Sequence, residues 1–109
     1  MKEEIVFLED KGELLARINC EIDHHSCRAL REKIDTALFE KKPKVLALDF
    51  SKVNFMDSSG LGLILGRVER AVALGARVEV RGLSASLYKI IRLSGIERIK
   101  NLSVKKKEI

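Results

Sequence analysis

The chain has 109 residues, of which 46% are apolar and 34% charged, against a usual charged share of about 25%. That length suits one domain spanning residues 1–109, with an apolar half large enough to exclude disorder and no run approaching the roughly 18 apolar residues of a membrane span. Lys and Arg number 21 against 16 Asp and Glu, a net charge of +5, while Trp is absent and four Phe and one Tyr are the only aromatics.

In chain order, Ile5-Val6-Phe7-Leu8 and Leu14-Leu15-Ala16-Arg17-Ile18 are short apolar runs with Lys11-Gly12 between them, which predicts a β-hairpin. Cys27, Leu30, Ile34, Ala37 and Leu38 then recur at helical spacing, with Asp23 or Ser26 as the expected cap and Pro43 beyond the end. Val45-Leu46-Ala47-Leu48-Asp49-Phe50 is nearly continuous apolar sequence and reads as a central strand buried on both faces. Helical spacing resumes over 59–74 through Leu61, Ile64, Leu65, Val68, Ala71 and Val72, with Gly75 as its stop. Gly62 and Gly66, four residues apart, are expected to let this helix approach the sheet. Arg77 to Arg81 alternate as a strand that Gly82 is expected to end. A third helix follows Ser84 through Leu87, Ile90 and Ile91 to Gly95, and Ile99 to Val104 predict a last strand.

This order predicts an α/β fold, a mixed sheet of four to five strands with an initial hairpin and then parallel crossovers, packed with three or four helices. In such a sheet the working site lies beyond the carboxyl ends of the strands. Two stretches qualify, Glu21 to Ser26 and Asn54 to Gly62.

Neither charge nor cysteines redirect this reading. Residues 1–57 hold 10 basic and 12 acidic side chains, whereas residues 58–109 hold 11 basic and 4 acidic. The arginines of the basic half (67, 70, 77, 81, 92 and 98) are spread out, only Lys105-Lys106-Lys107 cluster, and Tyr88 is the sole aromatic there, so direct nucleic-acid binding is not expected. Met1-Lys2-Glu3-Glu4 lacks the basic start and apolar run of a leader, which makes the cytoplasm the expected compartment. Cys20 and Cys27 form no C-x-x-C clip and read as structural thiols. Adjacent His24-His25 stand at no metal-ligand spacing, so neither a metal nor a cofactor is expected.

The stretch Phe55-Met56-Asp57-Ser58-Ser59-Gly60-Leu61-Gly62 carries the chemistry. Gly60, Gly62 and Gly66 give G-x-G-x-x-x-G, not the dinucleotide fingerprint; no G-K-[ST] makes a phosphate loop, and Met56-Asp57 stand where a hydrolase elbow needs its first glycine. The plain structural reading is that Ser58 or Ser59 caps the helix. The functional reading is a phosphorylation switch. A helix start tolerates a phosphate, and the added charge of about −1.5 to −2 repels a closely packed partner.

The same stretch, with Ile64-Leu65-Gly66-Arg67, Glu21-Ile22-Asp23-His24-His25 and Leu93-Ser94-Gly95-Ile96, resembles the anti-sigma-factor antagonists of the STAS domain family; the wording of the loop points to its sporulation branch, with a stress-response or other partner-switching circuit as the alternative. The resemblance implies a binding module without catalysis of its own, and a monomer is taken as the default. Unphosphorylated, such a module binds an anti-sigma factor that is also a serine kinase and so frees the sigma factor; phosphorylation ends the binding, and a serine phosphatase resets it. By position it implies Ser58 as phosphoacceptor and Asp23, His24, Asp57, Ser58, Ser59, Gly60 and Gly62 as partner-binding residues. A rival within the family is a small-molecule or nucleotide sensor using this loop as an anion site. Cys20 stands where the family usually has Gly, which implies strain if that position needs φ > 0. The chain closes on a lysine tail, expected to be a solvated end, where relatives often have another helix.

Overall fold

In the computed structural model, which describes residues 3–108, Lys11 and Gly12 both take positive φ (48° and 84°). That is the geometry of a two-residue hairpin turn whose twist matches its flanking strands. It joins β1 (Ile5–Asp10) to β2 (Glu13–Ile18) in antiparallel register from Ile5 opposite Ile18 to Asp10 opposite Glu13. Met1, Lys2 and Ile109 lie outside the described residues, so the leader argument at the N-terminus falls partly there.

The remaining elements alternate: α1 (Cys27–Lys41), β3 (Val45–Asp49), α2 (Ser59–Ala73), β4 (Arg77–Leu83), α3 (Ala85–Ser94), a short 3-10 turn over Ile96–Arg98, and β5 (Leu102–Lys106). The sheet is ordered β1-β2-β3-β4-β5, with β2 through β5 parallel. Because each right-handed crossover steps the same way along this sheet, all three helices fall on one face. Leu14, Ala16 and Ile18 of β2, Leu46 and Leu48 of β3, and Val78 and Val80 of β4 join the core beneath Leu30, Ile34, Leu38, Ile64, Leu87 and Ile91. Full burial of such a side chain contributes about 1.5–3 kcal/mol, more than helix propensity or caps supply.

Among the described residues the other face has no helical layer. Its alternate positions carry Glu13, Leu15 and Arg17 on β2, Val45, Ala47 and Asp49 on β3, and Arg77, Glu79 and Arg81 on β4. Arg81 reaches back across β3 to hold both oxygens of Glu13 at 2.6 and 3.0 Å and also meets Glu79 at 3.0 Å. Ala47 is fully buried yet lies outside the helix-side core, on the face where Arg81 crosses β3 to Glu13 and with Leu15 and Glu79 as its register neighbours. The expectation that β3 is buried on both faces therefore holds at Ala47, on a second face crossed by an ionic network.

Three details correct the sequence reading. Gly82 does not end β4; it sits inside the strand at φ +73° where the register with β5 shifts, and a Cβ there would lie 2.9 Å from the Ser51 nitrogen. The last strand begins at Leu102 instead of Ile99, since the 3-10 turn uses Ile96 as a buried anchor and Asn101 turns the chain at φ +71°. Lys105 and Lys106 thus belong to the edge strand β5, with exposed side chains, and only the residues beyond them form the tail.

Candidate functional site

The loops leaving β2 and β3 meet at the carboxyl edge of the sheet. Ile22 and Met56 form an isolated parallel bridge: the Ile22 N–H donates to the Phe55 carbonyl at 3.0 Å and the Asp57 N–H to the Ile22 carbonyl at 3.0 Å. Both residues are buried, which anchors two otherwise polar loops to the core. Consequently the first turns of α1 and α2 lie side by side, with Cys27 Sγ 3.5 Å from the Ser59 carbonyl. The sequence reading placed the two stretches at one sheet end; the bridge that joins them it did not foresee.

Within the first loop, Asp23 Oδ1 accepts the His25 and Ser26 N–H groups at 2.9 Å each, and Ser26 Oγ accepts the Asp23 N–H at 3.1 Å while donating to the Glu21 carbonyl at 2.8 Å. Asp23 is thus the cap-forming side chain; Ser26, the residue before the helix, makes no capping bond of its own. The Ser26 and His25 N–H groups hold the Asp23 carboxyl below its ordinary pKa, against a smaller opposing effect of burial. Cys20 has no positive φ, so the strain implied by its departure from the family glycine is absent. Burial pushes the Cys20 and Cys27 thiols up, and neighbouring acids add to it, in keeping with structural thiols.

At the second loop Asp57, not Ser58 or Ser59, caps the helix: its Oδ1 accepts the Ser59 N–H at 2.8 Å. Ser58 stands immediately before α2 with helical φ and ψ of −61° and −19°, is exposed, and makes no side-chain capping bond. Its hydroxyl faces solvent at a helix start. The next two N–H groups are satisfied inside the loop, Gly60 by the Asp57 carbonyl at 3.0 Å and Leu61 by the Ser58 carbonyl at 3.1 Å.

The remaining candidates separate. Ser59 is half-buried and His24 exposed, its ring stacked on that of His25 with centroids 4.4 Å apart. Gly62 is exposed, with open space where a Cβ would point; the same is true at Gly66, so neither glycine serves a close approach of helix to sheet. Gly60 is buried, and a Cβ there would meet Met56 Cγ at 2.2 Å and Sδ at 2.3 Å. Of the two glycines expected to contact a partner, Gly60 is therefore an internal spacer that lets α2 sit over Met56. Among the described residues no cluster of His, Cys, Asp and Glu is spaced to hold a metal ion, and no helix is long and apolar enough to cross a membrane.

Comparison with known proteins agrees with this arrangement. The model of the STAS domain matches residues 4–108. The chain belongs to the STAS domain family. It is 32% identical over 89 residues to the anti-sigma F factor antagonist of Paenibacillus polymyxa, covering 82% of this chain and 76% of that protein. Among solved structures, the anti-sigma factor antagonist SpoIIAA in its unphosphorylated form aligns with TM-score 0.66 at 30% identity over 82% of either chain. The Bacillus cell fate determinant SpoIIAA in its phosphorylated form aligns with TM-score 0.68 at 29% identity over 92% of this chain and 89% of that one.

Arg28 and Arg31 escaped the sequence reading, although both stand at this end of the sheet. They line a cleft with His24, Ser59, Gly62 and Arg67. Their spacing of three residues, which sets two guanidinium groups on one side of a helix, was the available signal.

Proposed function

We propose that this STAS domain is an anti-sigma-factor antagonist controlled by phosphorylation of Ser58. The observation that carries the reading is the free, exposed Ser58 hydroxyl at the start of α2, left without a structural duty because Asp57 caps the helix. Its relatives are antagonists of anti-sigma factors, and one of them exists in phosphorylated and unphosphorylated forms.

In the unphosphorylated state the surface formed by Asp23, His24, Asp57, Ser58, Ser59 and Gly62 docks an anti-sigma factor, which then lets go of its sigma factor. The domain performs no catalysis; the anti-sigma factor, as a serine kinase, transfers the phosphoryl group to Ser58 Oγ, and a serine phosphatase removes it. The loop wording and the sigma F relative favour a cytoplasmic sporulation circuit. A phosphate at this helix start leaves the fold intact, since the helix end favours negative charge. It also adds about −1.5 to −2 charges to a packed interface that already holds Asp23 and Asp57. Moving the partner from mostly bound to mostly free takes about 5.5 kcal/mol, within reach of burying an unpaired phosphate.

The test uses wild type, Ser58→Ala and Ser58→Asp as baits in native lysate, followed by purification of the retained kinase and incubation with ATP. The Ala form is expected to hold an ATP-dependent kinase that the Asp form loses, and the kinase is expected to place one phosphate on wild-type Ser58. Equal retention by the Ala and Asp baits, or phosphate only on Ser59, overturns the assignment.

A further inference from the structure

Beside Ser58, between the first turns of α1 and α2, lies a cleft of about 350 Å³ lined by His24, Arg28 and Arg31 from one side and Ser59, Gly62 and Arg67 from the other. No Asp or Glu lines it. Arg28 is exposed and, among the described residues, pairs only with Glu32, at 3.4 Å, a surface pair worth little. Arg31 is exposed and makes no ion pair among the described residues. Arg67 is 2% exposed, held by Asp35 at 2.7 Å and by the Leu63 carbonyl at 3.5 Å. Burial first, and then the charges of Arg31 and Arg70, keep its pKa below the ordinary value despite Asp35. Neither α1 nor α2 carries an acid in its first turn, and the Asp23 and Asp57 carboxylates are bonded to their own turns.

The cleft lacks the backbone cradle of a dedicated phosphate site. Phosphate sites at helix starts use free backbone N–H groups, and at α2 the Ser59, Gly60 and Leu61 N–H groups are already satisfied. The donors that face the cleft are side chains: the planar forks of exposed Arg28 and Arg31, which hold carboxylate or phosphate oxygens two bonds at a time, with His24 and Ser59 beside them. Gly62 keeps the mouth open, with nothing within 4 Å of where its Cβ would stand.

We propose that this cleft is a second anchor of the docking surface and seats carboxylate side chains of an acidic segment on the protein that docks over Ser58. The partner's identity as an anti-sigma factor rests on the function proposed above; the preference for protein carboxylates stands apart from it. A phosphate on Ser58 then acts twice, repelling the acidic segment and competing for the same guanidinium groups.

Two arms test this. In the first, the isotope-labelled full chain is titrated with polyglutamate, and in parallel with inorganic phosphate. Polyglutamate is expected to shift the amide signals of Arg28, Arg31, Ser59 and Gly62, and the double variant Arg28→Glu/Arg31→Glu, which changes only exposed side chains, to weaken binding about tenfold. No shift there, shifts confined to Lys105–Lys107, or equal binding of phosphate overturns the proposal. In the second arm the anti-sigma factor retained by the Ser58→Ala bait is purified, and its affinity for the cleft variant and for Ser58→Asp is measured. A loss of about tenfold or more for the cleft variant, larger in low salt, supports the anchor. If the cleft variant binds as wild type while Ser58→Asp does not, the anchor falls and the switch stands. If the cleft variant loses binding while Ser58→Asp keeps it, the switch falls and the anchor stands.

Discussion

Asp57 holds the start of α2, and that division of labour between neighbours leaves Ser58 without a capping bond, as the proposed phosphorylation requires. It also separates a structural role from a regulatory one by experiment. Asp57→Ala removes the acceptor of the Ser59 N–H and is expected to cost about 1 kcal/mol, within the usual range for a lost cap. Ser58→Ala, which removes a hydroxyl without a capping bond, is expected to change stability by less than about 0.5 kcal/mol. Urea denaturation of both variants checks the pair, and a cost at Ser58 equal to that at Asp57 would return the serine to a capping role. Gly60→Ala drives a methyl into the Met56 side chain beneath α2 and is expected to cost about 1–3 kcal/mol by the same measurement.

At the scale of elements, the helix-free face of the sheet is held by charge. Arg81 grips Glu13 from two strands away, and its hydrogen bonds hold the Glu13 carboxyl below its ordinary pKa. Asp49 is also low: burial opposes ionisation, but the Ser51 N–H and the Arg17 guanidinium outweigh it. A carboxyl whose folded pKa lies below its unfolded value contributes stability that is fully present above the unfolded pKa, near 4, and is lost as pH falls through the folded value. Stability is therefore expected to be flat with respect to these groups above about pH 5 and to fall below about pH 4. Arg81→Met is expected to cost about 1–2 kcal/mol at neutral pH, a figure discounted for the 33% exposure of either side chain. The gap between wild type and variant should narrow as the pH drops below about 4. Urea midpoints measured across pH test this; a gap constant down to about pH 2 would assign the loss to packing alone.

Across the whole molecule one core lies between the sheet and its three helices, so no element owns a core of its own. A single unfolding transition is the expected consequence. Tyr88, the only tyrosine in a chain without tryptophan, reports on the α3 to β5 end, where Lys106 Nζ stands 5.0 Å from its ring. Its fluorescence and far-UV circular dichroism are expected to give coincident urea midpoints. An earlier Tyr88 transition would show that α3 and β5 open as a separate unit.

The alternation of short apolar runs with helical spacing determined the element order, the parallel crossovers and the two loops at one end, because periods of two and 3.6 residues are properties of local chain geometry. The motif from Phe55 to Gly62 likewise carried its meaning in the sequence, as an acid, two serines and five small or apolar neighbours in a fixed order. Which side chain caps α2 was not legible, since Asp57, Ser58 and Ser59 are all good caps and only the backbone path decides between them. Nor could Gly60 be told from Gly62: one is pressed against Met56 and the other open, a difference made by the bridge between Ile22 and Met56. The split of charge at residue 57 pointed to a basic second half, yet the cleft beside Ser58 draws Arg28 and Arg31 from the acidic first half. Sequence fixes which charges a chain has and where they recur; only the packing of α1 beside α2 sets them on one surface, because electrostatic fields sum over distance in space and not along the chain.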